Sequence, residues 1–299
     1  MSKFIVGAYA SQPDNDAGQR AYYDALAATG WVDGLEVPYP GQFDRPEFLG
    51  ELLADRFTSS VLTAIPGTMV NVWDAPSFGL GSPDEAGRSA ALEFTQELYQ
   101  DVQRVHEIAG HSVFSWVALH SAPTQHSTPE AFARSLSEVL SWDWGSTSLT
   151  IEHCDERSTN HTPEKGFLPL EEELAVAREL GIGVSLNWGR SAVGSRGDVA
   201  PLAHVEQAAK AGKLVGVIFS GASPQETIYG PEWIDGHLPL STDEPASLMT
   251  PNHVSQAAAA AASVAYLGAK CCVPPEASLE RRVRMIRNIY QACSTTSVA

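Results

Sequence analysis

Short apolar runs alternate along the chain with longer segments in which apolar residues recur at three-to-four spacing. The short runs are typical of strands and the recurring pattern is typical of helices. The predicted strands lie at 4–10, 34–39, 60–67, 113–122, 148–154, 183–189, 214–221 and 264–272. The predicted helices lie at about 18–29, 45–54, 84–109, from 129 onward, and at 170–180, 199–211, 251–263 and 276–292.

This alternation of strand and helix predicts a parallel sheet. About eight such units fit a single (β/α)8 TIM barrel over residues 1–299, with a long loop insert at about 222–250. A doubly wound open sheet is the alternative. The loop after the first predicted strand, GAYASQPDND, lacks the glycine spacing of a dinucleotide-binding turn, which disfavours that alternative.

Residue parity along the strands separates apolar positions that face the helices from polar positions that face the barrel interior. In six strands the residue of inward parity near the carboxyl end is polar. These residues are Glu36, His120, Glu152, Asn187, Ser220 and Lys270. Since active sites of this fold lie at the carboxyl ends of the strands, the pattern predicts a functional pocket. Polar strand ends that merely approach solvent are the alternative.

The run SLTIEHCDERS at 148–158 shows how parity narrows a candidate cluster. Glu152 and Cys154 have inward parity, and Cys154 is expected to be an inert buried thiol. His153 has outward parity, which favours a hydrogen bond to helix or loop backbone. Asp155, Glu156 and Arg157 are expected to begin the following loop.

Composition narrows the classes of partner. The formal net charge is −17, which argues against nucleic acid and against an anionic membrane surface. The amino-terminal MSKFIVGAYA has no long apolar region typical of a signal peptide, and the cysteines do not have zinc-motif spacing. We therefore expect a cytoplasmic protein with reduced thiols.

Four sequence stretches, DGLEVPY, ALHSAP, TIEHCD and WIDGHLP, resemble the xylose isomerase-like TIM barrels. That superfamily contains sugar isomerases, epimerases and endonuclease IV-type enzymes. The resemblance implies site roles for Glu36, His120 and Glu152, and it implies that Asp235 and His237 match a metal-binding pair of the endonuclease branch. If a metal is bound, its ligands would be Glu152, His120, Asp235 and His237.

Three positions depart from the metal-dependent members of the superfamily. Asn187, Ser220 and Lys270 stand where an aspartate, a histidine and a glutamate are usual. Lys and Arg are not ligands while charged, and Asn is a poor substitute for Asp. We hypothesise that Lys270 and Arg190 replace the charge of the metal, while a divalent ion (Mn, Mg or Zn) stays an alternative.

These observations predict a sugar or keto-sugar isomerase or epimerase, or a β-eliminating lyase, that takes a proton next to a carbonyl. The predicted catalytic residues are Glu152 as general base, His120 and Lys270. The predicted substrate-binding residues are Glu36, Asn187, Arg190, Ser220, Trp188, Asp235 and His237. For Lys270, an ion pair with Glu152 and a Schiff base are alternatives to binding a substrate oxygen. For Trp188, simple packing is the alternative.

Two other functions stay open. The chain is alternatively a non-catalytic sugar-binding or scaffold subunit of a larger complex, or a metal-dependent hydrolase of the endonuclease IV type. The expected partner is a small sugar-like molecule, and self-association into a homo-oligomer is left open. The Gly- and Pro-rich stretch at 68–83, with Trp73 and Phe78, is expected to be a loop that acts as a lid.

Overall fold

The computed structural model describes residues 2–294, and its eight strands follow chain order around one closed barrel. The strands are β1 Lys3–Val6, β2 Gly34–Pro38, β3 Ser60–Thr63, β4 Phe114–Leu119, β5 Ser148–His153, β6 Gly183–Asn187, β7 Leu214–Phe219 and β8 Tyr266–Ala269. The pairs β1–β2, β1–β8, β3–β4, β4–β5 and β7–β8 are all parallel. The predicted (β/α)8 TIM barrel is therefore confirmed.

Helices separate the strands. They are α1 Asp16–Ala27, α2 Pro46–Ala54, α3 Ile65–Asp74, α4 Glu85–Ala109, α5 Pro129–Leu140, α6 Leu170–Leu180, α7 Trp188–Ser195, α8 Ala200–Lys210, α9 Pro251–Ala260 and α10 Leu279–Ser294. Short polar side chains begin several of them, since an N-cap oxygen accepts a hydrogen bond from an otherwise unpaired amide. Asp84 accepts from Gly87 and Thr128 accepts from Ala131 in this way.

Two helices lie where the sequence predicted other structure. Helix α3 occupies much of the stretch at 68–83 that was expected to be a loop, because Pro66 in its first turn favours a helical start. Helix α7 begins within the predicted strand 183–189. That strand ends at Asn187 because the Asn187 side chain caps α7, accepting a hydrogen bond from the Arg190 amide at 3.2 Å.

The chain divides into two compact units. The middle unit is Val37–Ser185, and the terminal unit combines the described residues up to Glu36 with those from Leu186 onward. Apolar side chains of strands and helices form the core of each unit. Within residues 2–294, none of the helices combines the length and the apolar character needed to cross a bilayer.

Candidate active site

The middle unit carries a buried carboxylate–imidazole pair at the carboxyl ends of β4 and β5. Leu119 pairs with Ile151 in the parallel register, so the next residues along, His120 and Glu152, lie side by side. His120 Nε2 is 2.8 Å from Glu152 Oε2. Their side chains are 0% and 4% exposed, so the pair lies away from bulk water.

Thr63, the last residue of β3, completes this group, which we call the Glu152 cluster (Thr63, His120 and Glu152). The Thr63 hydroxyl donates a hydrogen bond of 2.6 Å to Glu152 Oε2. The same carboxylate oxygen therefore meets a hydroxyl and an imidazole, and both contacts favour its charged form when they donate a proton. Sequence reasoning missed Thr63, because the predicted strand at 60–67 continued past it and so gave no sign that Thr63 lies at a strand end.

A second carboxylate–imidazole pair lies on the helix side of the same two strands. His153 Nδ1 is 2.7 Å from Glu173 Oε2 of α6, and the Ser121 hydroxyl donates to Glu173 Oε1 at 2.6 Å. We call these residues the Glu173 cluster (Ser121, His153 and Glu173). The outward parity predicted for His153 fits this position, but its partner is a carboxylate rather than backbone. Glu173 was missed because it lies in the acidic run LEEEL, where nothing marks the buried member.

Burial and charge act together on the Glu173 cluster. Burial lowers the pKa of His153, but the charge and hydrogen bond of Glu173, together with the charges of Glu156 and Asp155, outweigh it, so the pKa is raised above its usual value. Burial raises the pKa of Glu173 as well, and His153 and the Ser121 hydroxyl oppose that rise only in part. The two groups therefore hold a proton more firmly than they would in water.

In the terminal unit, the buried carboxylates form ion pairs with lysine and arginine side chains. Lys270 follows β8, and its Nζ is 2.8 Å from Glu36 Oε2 of β2. Both side chains are almost fully buried, at 0% and 2% exposure. An ion pair with Glu152 was one of the alternatives that the sequence left for Lys270, whereas the carboxylate at 2.8 Å is that of Glu36.

Gly7 explains how Lys270 reaches Glu36. Strand β1 lies next to both β2 and β8, and Val6 pairs with Leu35 on one side and with Ala269 on the other. The residues that come next after Val6, Leu35 and Ala269 are Gly7, Glu36 and Lys270, so Gly7 lies between the other two. The Lys270 side chain therefore passes over the end of β1 to reach Glu36. A Cβ atom at Gly7 would lie 2.8 Å from the Lys270 side-chain carbons. The absence of a side chain at Gly7 therefore opens the path for Lys270.

Tyr9, in the short 3-10 turn Ala8–Ala10, lies beside this ion pair and was also missed. The Lys270 ammonium is 5.5 Å from the centre of the Tyr9 ring. Burial raises the pKa of Tyr9, although the nearby ammonium lowers it in part. Tyr9 therefore stays a neutral phenol at ordinary pH.

A second ion pair in the terminal unit joins α7 to the loop after β7. Arg190 Nε donates to Asp235 Oδ2 at 2.9 Å, and the other oxygen of Asp235 is 3.0 Å from His237 Nδ1. Burial lowers the pKa of His237, although Asp235 opposes the shift, so the imidazole is neutral at pH 7. We call Glu36, Arg190, Asp235, His237 and Lys270 the cation-paired cluster.

The remaining predicted residues lie around that cluster. The Ser220 hydroxyl donates to Asn187 Oδ1 at 3.3 Å and is 3.4 Å from His237 Nδ1. Trp188 is 2% exposed and its ring stacks on His253 at 5.7 Å, so packing, the alternative reading, describes its place in the terminal unit.

Three further residues of the sequence analysis have other settings. Cys154 is fully buried, as an inert thiol would be. Trp73 belongs to α3 and is 70% exposed, whereas Phe78 is buried. The predicted lid is thus partly a helix, and its two aromatic residues have opposite exposure.

The donor set of the terminal unit does not fit a divalent metal. Glu36 and Asp235 each already have a protein cation within 2.9 Å. Asn187, Ser220 and Lys270 add an amide, a hydroxyl and an ammonium group to this unit rather than further carboxylates or imidazoles. A metal ion there would meet the positive charges of Lys270 and Arg190, which oppose its binding.

Comparisons with known proteins place the chain in a family. Residues 5–285 match the family model "Domain of unknown function (DUF4862)". The chain is 35% identical to Uncharacterized protein STM3670 of Salmonella typhimurium, over 95% of this chain and 94% of that protein.

Solved structures resemble the chain at the level of fold. D-psicose 3-epimerase from Clostridium cellulolyticum H10, solved with D-tagatose, has a TM-score of 0.55 at 14% identity, covering 97% of this chain and 92% of that one. An AP endonuclease, family 2, from Brucella melitensis has a TM-score of 0.57 at 14% identity, covering 94% and 96%. The predicted resemblance to xylose isomerase-like barrels is thus confirmed for the fold, which serves more than one chemistry. By the extent of its match to the family model and to the Salmonella protein, the chain belongs to the DUF4862 family.

Proposed function

We propose that this protein is an enzyme that takes a proton from the carbon next to a carbonyl in a sugar or a sugar-derived compound. The reaction is an isomerisation, an epimerisation or a β-elimination. One observation carries the proposal. Glu152 is a buried carboxylate held by the Thr63 hydroxyl at 2.6 Å and by the His120 imidazole at 2.8 Å. It lies at the strand ends where barrel enzymes position their catalytic groups.

Glu152 acts as the general base in this proposal, and His120 orients it and serves as the partner acid. The C–H bond next to the carbonyl breaks, and its proton moves to the Glu152 carboxylate. The electron pair of that bond forms an enolate whose negative charge rests on the former carbonyl oxygen. Return of a proton to the opposite face of the same carbon gives an epimer. Transfer of the α-hydroxyl proton to the former carbonyl oxygen, with protonation of the former carbonyl carbon, gives an isomer. Departure of the β-hydroxyl group as water, after it takes a proton from His120, gives the elimination product.

The cation-paired cluster has a separate proposed role in binding oxygen atoms of a ligand. Lys270 and Arg190 are permanent donors suited to a negatively charged or polar ligand oxygen. Glu36, Asp235 and His237, together with Asn187 and Ser220, offer acceptors and donors for hydroxyl groups. Because these cations already balance the carboxylates of the terminal unit, the proposed chemistry does not depend on a divalent metal.

One observation favours the second candidate, a sugar-binding protein without catalytic activity. Both buried cations of the cation-paired cluster are already matched by carboxylates in the folded chain. A binding site needs hydrogen-bonding groups but no base that gains and loses a proton. The two candidates therefore differ in whether Glu152 exchanges protons with a ligand.

Deuterium wash-in tests the proposal. The purified protein is incubated in D2O with ketohexoses, aldohexoses and 3-keto sugars, and incorporation of deuterium at carbon is followed by NMR. We expect exchange with at least one sugar, and we expect Glu152→Gln to reduce it by about 10²–10⁴-fold, the contribution typical of a general base. Glu173→Gln is the matched control, because Glu173 is also a buried carboxylate that contacts a hydroxyl and an imidazole.

The outcomes separate the candidates. Exchange that survives in Glu152→Gln removes Glu152 from the role of base. Binding detected by thermal shift, with no exchange for any sugar, supports the second candidate. Metal analysis of protein purified without chelator tests whether the chemistry is independent of a metal. Near-stoichiometric Mn, Mg or Zn that is required for exchange would overturn that part of the proposal.

A further inference from the structure

A small cavity inside the middle unit is lined in part by His120. Its volume, counted as the space that the centre of a water molecule can occupy, is about 10 Å³. That is room for one water molecule or one methyl group. Its walls come from α3, the loop before α4, α4 itself and the end of β4. His120 is one of its lining residues, and His120 Nε2 is 2.8 Å from Glu152.

Carbon atoms make up most of the lining. Ala64, Phe78, Leu80, Ala91 and Leu119 contribute aliphatic or aromatic side chains. A water molecule is stable in a buried cavity only with two to four polar partners, whereas an apolar group needs none. The lining therefore favours an apolar occupant.

Two of the three polar side chains in the lining direct a polar atom to a partner within the protein. The Thr95 hydroxyl donates to the Ala91 carbonyl of its own helix at 2.7 Å. His120 directs Nε2 toward Glu152 at 2.8 Å. Thr68 adds a methyl group as well as a hydroxyl. A hydroxyl group of a ligand would lose its water shell here and would regain fewer hydrogen bonds than it makes in water.

The size of the cavity is fixed by a closely packed wall. Phe78 and Leu80 flank Gly79, where a Cβ atom would lie 2.2 Å from the Ala122 carbonyl carbon. The Gly81 amide donates to the Ala122 carbonyl at 2.7 Å, and the Thr128 amide donates to the Gly81 carbonyl at 2.8 Å. This loop is tied to the segment after β4, so it cannot move aside to admit a larger group without breaking those contacts.

We propose that this cavity is a specificity pocket for one methyl-sized apolar group of the substrate. It rests on the proposed function, because it takes His120 to be in contact with the substrate. The substrate class is then a deoxy sugar or a related carbonyl compound in which a methyl group stands where common sugars carry a hydroxymethyl group. The larger and more polar hydroxymethyl group fits the pocket poorly.

Paired substrates test the pocket. L-rhamnulose is compared with L-fructose and L-fuculose with L-tagatose, together with the 6-deoxy and 1-deoxy forms of the other ketohexoses and their parents. We expect the deoxy member to exchange deuterium about 10–100-fold faster at limiting concentration, the discrimination that one small group in an apolar pocket provides. Thermal shift on the same pairs gives a readout that does not require turnover.

Two variants on α4 test whether the cavity causes the preference for the deoxy member of each pair. Ala91→Val fills it, since Ala91 is buried in its wall, whereas Ala90→Val adds the same atoms to an exposed neighbour on the same helix. We expect Ala91→Val to remove the preference for the deoxy member and Ala90→Val to keep it.

The results that would overturn the specificity pocket differ from those that would overturn the proposed function. Equal rates for both members of every pair, or equal behaviour of the two variants, overturn the pocket while leaving proton exchange intact. No exchange with any sugar overturns the proposed function. In that case a tighter binding of deoxy sugars that Ala91→Val abolishes still supports the pocket, and equal binding of both members overturns it.

Discussion

The two units hold their buried carboxylates by different means. In the terminal unit, Glu36 and Asp235 are matched by Lys270 and Arg190, whose charges are permanent at ordinary pH. In the middle unit, Glu152 and Glu173 are matched by the imidazoles of His120 and His153, the side-chain type whose ordinary pKa is nearest to neutral pH. Hydroxyl groups of Thr63 and Ser121 complete the second arrangement.

This difference separates two kinds of task. A carboxylate beside a permanent cation is held in its charged state and is suited to fixing positions. A carboxylate beside an imidazole shares a partner that can give or take a proton, which is what general acid–base chemistry needs. The comparison therefore favours the middle unit as the source of the proposed base, and it makes the following predictions about stability.

Removing one partner should cost most in the terminal unit. Lys270→Met leaves the Glu36 charge buried without its cation, and we expect the free energy of unfolding to fall by about 3–5 kcal/mol. His120→Asn should cost about 1–3 kcal/mol, because Glu152 keeps the Thr63 hydroxyl and can take up a proton. Urea unfolding followed by circular dichroism measures both.

The double variant Lys270→Met with Glu36→Met controls for packing. Since buried ion pairs are often no more stabilising than apolar residues of similar size, it should recover most of the loss. A double variant as unstable as Lys270→Met alone would mean that the lysine stem, and not the ion pair, determines the effect.

Gly7 should show the next largest effect. A Cβ atom there would press on the buried Lys270 side chain at 2.8 Å, so Gly7→Ala should lower the free energy of unfolding by about 2–3 kcal/mol. Gly197→Ala is the control in the same unit, because a Cβ atom there meets only the Ser195 carbonyl oxygen at 4.0 Å. Equal stability of the two variants would contradict the proposed path of Lys270 across β1.

Much of the fold could be predicted from the sequence because local patterns determine it. Alternating strands and helices indicated the barrel, and strand parity found Glu36, His120 and Lys270 before their partners were known. Helix α3 was missed because Gly and Pro around residues 66–83 resemble a loop in composition. Its true signal, a proline in the first turn, is common in both kinds of structure.

The partners within the candidate site were harder to predict. Lys270 reaches Glu36 because Gly7 lies between them, and that arrangement depends on the register of three strands. Glu173 faces His153 because of how α6 packs on β5, which the acidic run LEEEL does not reveal. The inward or outward direction of a side chain was therefore predictable, because it depends on one strand. The partner of that side chain was not predictable, because it depends on how two elements pack.

Thr63 offers a smaller test within the Glu152 cluster. Thr63→Val keeps the shape but removes the hydroxyl that donates to Glu152 Oε2, so unfolding should become easier by about 1–2 kcal/mol. Thr63→Ser keeps the donor and should lose less stability than Thr63→Val. If the serine variant is the less stable of the two, the methyl group of Thr63 contributes more than its hydrogen bond.

The pH dependence of stability gives the finest distinction between the two kinds of pair. The pKa values of His153 and Glu173 are both raised, so the folded state binds more protons there than the unfolded chain does. Their contribution is complete at low pH, begins to fall above the unfolded value of Glu near 4.5, and falls further above the unfolded value of His near 6.5.

Other histidines act in the opposite direction, so the measurement must be a difference. Burial lowers the pKa of His106 to about 4 and also lowers that of His237, and both therefore make the fold more stable as pH rises toward 6.5. Subtracting the pH profile of Glu173→Gln from that of the wild type removes their contribution. We expect the remaining stability difference to decrease as pH rises. A difference that increases with pH would mean that the Glu173 cluster stabilises the charged form of its carboxylate, and it would contradict the raised pKa of Glu173.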